Sequence, residues 1–200
     1  MRASIGAVAV LGTVLMLGAS ACDGDEASLS ATATRTVGPT ASSPSPTEEA
    51  FRGGREPVEA TLSTIFQPAL SLKDVRVAKQ QGFDRITLEF TNGNGVPGYK
   101  VEYVQPPIIA DASGMTVQVD GSAFIQIRLQ PAYGYDPETG EQTYTGPSDL
   151  KPGPPSIIEA VATGDFEGVL HWVLGVSEEV DFRVLTLESP PRLVVDVGHP

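Results

Sequence analysis

Residues 180–200 read VDFRVLTLESPPRLVVDVGHP, and residues 98–109 read GYKVEYVQPPII. Each stretch sets an aromatic residue, a basic residue and Val in a row (Phe182-Arg183-Val184 and Tyr99-Lys100-Val101), alternates, and then reaches a Pro-Pro pair. The likeness extends upstream, because the same step separates Arg85 from Tyr99 in RITLEFTNGNGVPGYKV and Gly168 from Phe182 in GVLHWVLGVSEEVDFRV. Period two runs through both copies. Ile86, Leu88 and Phe90 alternate with Arg85, Thr87 and Glu89, and Leu170, Trp172 and Leu174 alternate around His171. Such alternation marks half-buried strands with one face on a core. Two similar strand sets in one domain predict two similar sheets packed face to face about a rough twofold axis.

Other segments carry the same period. MTVQVD (115–120) and AFIQIRL (123–129) read as strands, and IIEAVATGDFEGVLHWVLGV (157–176) reads as two strands across a Gly164-Asp165 turn. FRVLTL (182–187) and RLVVDV (192–197) supply the last two. No window carries a helical period over ten residues. The fold class expected is therefore all-β, an antiparallel β-sandwich of eight or nine strands over residues 69–200. A chain of that length buries a self-sufficient core without disulfides.

The N-terminal third reads differently. Met1-Arg2 is followed by an uncharged run from Ile5 to Leu17 and by Ala19-Ser20-Ala21-Cys22, the order of a secretory signal over residues 1–21. The stretch before the cysteine resembles the lipobox of bacterial lipoproteins, which implies acylation of Cys22 and attachment to a membrane through the lipid. An ordinary cleaved signal and an uncleaved anchor are the alternatives. Cys22 is the sole cysteine, so no disulfide competes for it. Residues 22–68, rich in Ser, Thr, Ala and Pro, lack the bulky apolar residues needed to offset chain entropy and read as a disordered linker. A flexible coil of that length averages roughly 35–40 Å end to end. With 13 basic residues against 25 acidic ones and a net charge of −12, the chain's overall field does not draw it to nucleic acid.

On GFDRITLEF, PGYKVEYV, GDFEGVLHWVLGV and PPRLVVDV, the chain resembles the AMIN domain over about residues 72–200, and more closely the AMIN-like domains of actinobacterial lipoproteins. AMIN domains occur in peptidoglycan amidases and pilus secretins. The resemblance implies a non-catalytic module that targets peptidoglycan or another wall component from the extracytoplasmic face of the membrane, with no cofactor. Because no further residues follow RLVVDVGHP, an attached enzyme is not expected. Docking on an envelope or division protein is the alternative partner reading.

Several motifs were weighed for chemistry. Gly93-Asn94-Gly95-Val96-Pro97-Gly98 fits a dinucleotide-loop pattern, but Pro97 and the following strand YKVEYV read as a hairpin instead. His171 falls on the outer face of its strand with no nucleophile motif to join it. The clusters Glu178-Glu179-Val180-Asp181 and Asp136 to Glu141 read as exposed turns, so no metal site is expected. The loop PAYGYDPETGEQTYTGPSDLKPGPP (131–155) is long for a hairpin and carries Tyr133, Tyr135 and Tyr144. Those rings either face a ligand, as aromatics in long loops do, or fold back over a sheet edge. Arg85, Lys100, Arg183 and Arg192 either pair with Glu89, Glu102, Asp181 and Asp196, as surface charges usually do, or leave the arginine forks of Arg85, Arg183 and Arg192 for ligand carboxylates.

Overall fold

The computed structural model describes residues 51–60 and 70–200 apart from Pro154, and these residues form eleven strands and no helix. In chain order the strands are β1 (Val58–Ala60), β2 (Leu70–Lys79), β3 (Phe83–Thr91), β4 (Gly98–Val104), β5 (Ala123–Gln130), β6 (Ala132–Tyr133), β7 (Asp149–Leu150), β8 (Ile157–Phe166), β9 (Val169–Val176), β10 (Phe182–Glu188) and β11 (Pro191–Gly198). They build one sheet of order β10-β11-β3-β2-β6 and a second of order β1-β4-β5-β9-β8-β7. Every pairing is antiparallel except the two-residue contact of β6 with β2. The signal stretch, Cys22 and most of the linker lie outside the described residues.

Alternation sets the core. Ile86, Leu88 and Phe90 of β3 and Leu193, Val195 and Val197 of β11 face Ile125, Ile127 and Leu129 of β5 and Leu170, Trp172 and Leu174 of β9. All of these are buried, and Trp172 is the largest side chain fully removed from water. Replacing such a residue by Ala typically costs about 3–5 kcal/mol, the lost transfer energy plus the cavity.

The repeated phrase has a sharper meaning than one copy per sheet. The first copy places the β2–β3 hairpin in one sheet and crosses to place β4–β5 in the other. The second copy does the reverse, with β8–β9 joining β5 and β10–β11 joining β3. The core rows β10-β11-β3-β2 and β4-β5-β9-β8 exchange under the match of β2, β3, β4 and β5 to β8, β9, β10 and β11. Each sheet is half of one copy and half of the other.

Three local expectations are corrected. MTVQVD is not a strand: only Thr116 bridges Ile109, and the segment forms a loop with Met115 exposed and Val117 and Val119 half-buried. That loop lies on the outer face of β9, where Gly175 and Gly121 let the backbones approach, since a Cβ at either would overlap the other strand's atoms. The turn between β8 and β9 is not at Gly164-Asp165, which lie inside β8. It is the two-residue turn Glu167-Gly168, with φ of 51° and 76°, closing the Phe166–Val169 pair. Both positive φ values suit the twist of a tight hairpin. Finally, part of the stretch assigned to the linker is packed. Gly54 exchanges backbone hydrogen bonds with Phe182 at 3.0 and 2.8 Å, β1 pairs with β4, and Phe51 lies against Phe83 with ring centroids 5.7 Å apart. Residues 51–60 are thus a strap crossing from the edge of β10 to the edge of β4.

One inward acid joins the sheets. Asp84 of β3 is fully buried, and its Oδ2 accepts the N–H groups of Ser156 and Ile157, both at 2.9 Å, where β8 begins. Its Oδ1 lies 3.1 Å from His199 Nε2, and Ser156 Oγ donates to Gly198 O at 2.7 Å. Asp84→Ala removes the acceptor for two buried donors. The expected cost is about 2–4 kcal/mol, read as a lower urea midpoint, with Asp84→Asn costing less because one carbonyl oxygen remains.

Candidate functional site

The tyrosine-bearing segment begins at β6, which the parallel contact with β2 fixes beside Leu70 and Ser71. Side chains staple it down. Ser71 Oγ donates to Tyr135 O at 3.0 Å, Thr143 Oγ1 donates to Leu72 O at 2.7 Å, and the N–H groups of Thr143 and Tyr144 both reach Gly134 O. Asp136 to Glu141 closes as a tight turn, with Gly140 N–H on Asp136 O. The loop therefore covers the side of the sandwich between β2 and the β7–β8 edge.

The three tyrosines take two different roles. Tyr144 folds back, its ring 5.9 Å from that of Trp172 at 81° and its hydroxyl donating to Pro147 O at 2.6 Å. Tyr133 and Tyr135 pack on each other, centroids 5.1 Å apart, and both remain half-buried. Beside them opens a cleft of about 350 Å³, lined by Leu72, Gly134, Tyr144, Gly164, Asp165 and Trp172 among others. Asp165 Oδ2 accepts the N–H of Gly134 at 2.9 Å and holds the loop to β8. The indole N–H of Trp172 is buried without a hydrogen-bond partner, so the cleft has an unsatisfied donor in its floor residue. An unmet buried donor is uncommon in a packed protein.

The arginines are not gathered at that cleft. Arg85 forks onto Asp196 through Nε at 2.6 Å and a terminal nitrogen at 2.9 Å, and Arg183 Nε reaches the same carboxylate at 2.8 Å. Asp196 is fully buried beneath them. The guanidinium of Arg183 also lies over the adjoining rings of Phe51 and Phe83, at 4.9 and 5.0 Å, which fastens the strap to this face. Arg192 stands apart at the β10–β11 turn, where its Nε donates to Pro190 O. Of the remaining expected pairs, Lys100 meets Glu102, whereas Glu89 is taken by Lys73 and Arg76 and Asp181 by Arg55. Glu89, expected on a wet face, is nearly buried by those two cations.

His171 is on the outer face as its phase requires, yet it is only 7% exposed, because Asp111 from the 105–120 loop lies over it in contact with Nδ1. No spacing rule pairs these two residues, which is why the contact was not legible from sequence. Among the described residues no group of three or more His, Cys, Asp or Glu side chains is placed to hold a metal.

Asp196→Ala leaves two guanidinium groups facing one another and is expected to cost about 3–5 kcal/mol in chemical denaturation. Arg85→Gln and Arg183→Gln then combine more than additively, because each single change leaves Asp196 one partner and only the double change leaves it buried and unpaired. Burial holds the His171 imidazole below its ordinary value, although Asp111 pulls the other way. The unfolded chain therefore takes up this proton first as pH falls, and stability drops below about pH 6.5 until the lowered folded-state pKa is passed. The fall in urea midpoint between about pH 7.5 and about pH 5.5 is expected to be smaller in His171→Gln than in the wild type.

The AMIN-like domain model matches residues 70–199 of this chain, from the first residue of β2 to beyond the end of β11. The strap and β1 precede the matched span. No curated protein and no solved structure matches the chain.

Proposed function

Because the chain belongs to the AMIN-like family, which is linked to envelope and peptidoglycan-associated proteins, we propose that it is a non-catalytic envelope lipoprotein that holds peptidoglycan or a wall-associated component. In this reading acylated Cys22 anchors the chain at the extracytoplasmic face of the membrane, residues 23–50 give it reach, and the sandwich does the binding. The observation that carries the binding role is the cleft under the tyrosine loop. It is concave, glycine-walled and floored by Trp172 with an unmatched N–H, and the paired rings of Tyr133 and Tyr135 flank its wall residue Gly134. Such a mix of flat apolar rings and a few fixed polar groups suits a sugar-bearing polymer. Arg85 supports the sheet instead, since Asp196 takes its fork, and Arg183 commits its Nε to the same carboxylate.

One observation favours docking on an envelope protein as a second reading. Phe182 spends both backbone groups on Gly54, so by the alternation of an antiparallel edge Val184, Thr186 and Glu188 point theirs outward. Nothing among the described residues pairs with that stretch, and Leu185 and Leu187 beside it are 40% and 39% exposed. An open edge of this kind accepts an extended segment of a partner.

Co-sedimentation of the full chain with protein-free peptidoglycan sacculi separates the two. The chain is expected to pellet, and a Tyr133→Ala/Tyr135→Ala variant is expected to need about tenfold more sacculi for half-binding, the loss of roughly one aromatic contact. Absence from the pellet at every salt concentration would remove direct wall binding. Sedimentation that appears only with walls retaining their proteins, survives the tyrosine changes and is lost on Thr186→Pro would move the contact to the β10 edge.

A further inference from the structure

A second recess lies on the outer face of the β5–β9 pair, bordered by the Glu167-Gly168 turn on which Ala132 and Tyr133 pack. Its floor follows from register: Arg128 of β5 stands opposite His171 of β9, and the next outward positions are Gln130 and Val169. Phe166 pairs directly with Val169 across the Glu167-Gly168 turn, so its ring projects on the same face. Phe166 is 49% exposed, an unusual state for so large an apolar side chain beside a well-filled core. Asp111 closes the other end. It is able to reach His171 because Gly164, opposite His171, has no side chain; a Cβ there would stand 3.2–3.4 Å from the Asp111 carboxylate. The recess is open to solvent and offers about 450 Å³.

We propose that this recess is a binding site for a pyranose ring of a glycan. Phe166 offers one apolar face of the size of a sugar's C–H face. Around it stand groups of every kind a vicinal diol needs: Arg128 donates, Glu167 accepts and Gln130 does both. Arg128 already orients Gln130 by donating to its Oε1 at 3.0 Å. His171 supplies the independent sign of an unmet contact. It is more than nine-tenths buried and borders the recess; Asp111 holds its Nδ1, and its Nε2 has no hydrogen-bond partner.

Other ligand classes fit less well. An anion would meet Asp111 and Glu167 as well as Arg128, and an alkyl chain would strand five polar side chains under apolar surface. A neutral polyol suffers neither cost. The Glu167-Gly168 turn also presents Glu167 with a left-handed φ of 51°, a backbone state that raises its side chain beside Phe166 at some local strain. The site shares no lining residue with the tyrosine cleft and rests on the wall reading only for the choice of an amino-sugar polymer as probe.

The test is a titration of the isotope-labelled full chain with the soluble β-1,4-linked tetramer of N-acetylglucosamine, followed by amide chemical shifts, with cellotetraose in a parallel arm. Shifts are expected to cluster at Arg128, Phe166, Glu167, Val169 and His171. Phe166→Ala is expected to weaken the apparent Kd about tenfold, the size of one stacking contact. That residue sits outside the two positive-φ positions, so the turn survives its replacement, and an unchanged urea midpoint confirms that the variant is folded. Phe166→Tyr, which keeps the ring, is expected to retain binding. No shift with either tetramer, or shifts confined to Gly134, Tyr135 and Asp165, overturns the proposal. Shifts at Phe166 in a chain that fails to pellet with sacculi leave this site standing and remove the wall reading; pelleting without shifts at Phe166 does the opposite.

Discussion

A buried carboxylate that accepts two backbone N–H groups from the opposite sheet determines where the two sheets of this domain meet. Moving a carboxylate out of water costs several kcal/mol unless its lone pairs are filled. Asp84 fills them with Ser156 N–H, Ile157 N–H and His199. Because both donors stand at the start of β8, the latch sets the position of β8, and through it the β8–β9 register. That register places Phe166 opposite Val169 and Gly164 opposite His171. Surface chemistry on one sheet is thereby referred to a single acid on the other.

Alternation made the interior legible: Ile86, Leu88, Phe90, Ile125, Ile127, Leu129, Trp172 and Leu174 are all buried as the period demands. The copied phrase also pointed to a paired architecture, because a strand set that occurs twice has two equivalent places to go. What local pattern could not convey was the crossing. Whether β4 returns beside β3 or passes to the other sheet depends on the connection and on competing neighbours, not on side-chain period. The MTVQVD segment shows the limit of period two as evidence. It alternates well, but the strand it leads into, β5, is flanked by β4 and β9 and offers it no edge, and it packs on a sheet face instead.

Sites were less legible than core for a physical reason. Asp84, Asp111 and Asp196 each act through a partner far along the chain, at Ser156, His171 and Arg85 respectively. Residue type announces a carboxylate; only the fold says whether it is solvated, latched or clamped. Among the tyrosines, Tyr144 folds over Trp172, whereas Tyr133 and Tyr135 pack on each other. Composition misled in the opposite sense at residues 51–60. That strap has little core of its own, yet Phe51 finds Phe83 and Arg183, and Gly54 finds an open backbone edge. Polar, glycine-containing chain is held here by groups that hydropathy does not count.

The exchange of halves between the sheets has a consequence for assembly. A chain holding only β2 to β5 would carry one hairpin of each sheet and lack the neighbour that each requires, since β3 lies beside β11 and β5 beside β9. A second such chain would supply both missing neighbours at once. In topological terms the domain is a dimer of half-length units written on one polypeptide. The segment from Pro131 to Ser156 then serves as a tether, which replaces a bimolecular encounter by an effective concentration of the millimolar order.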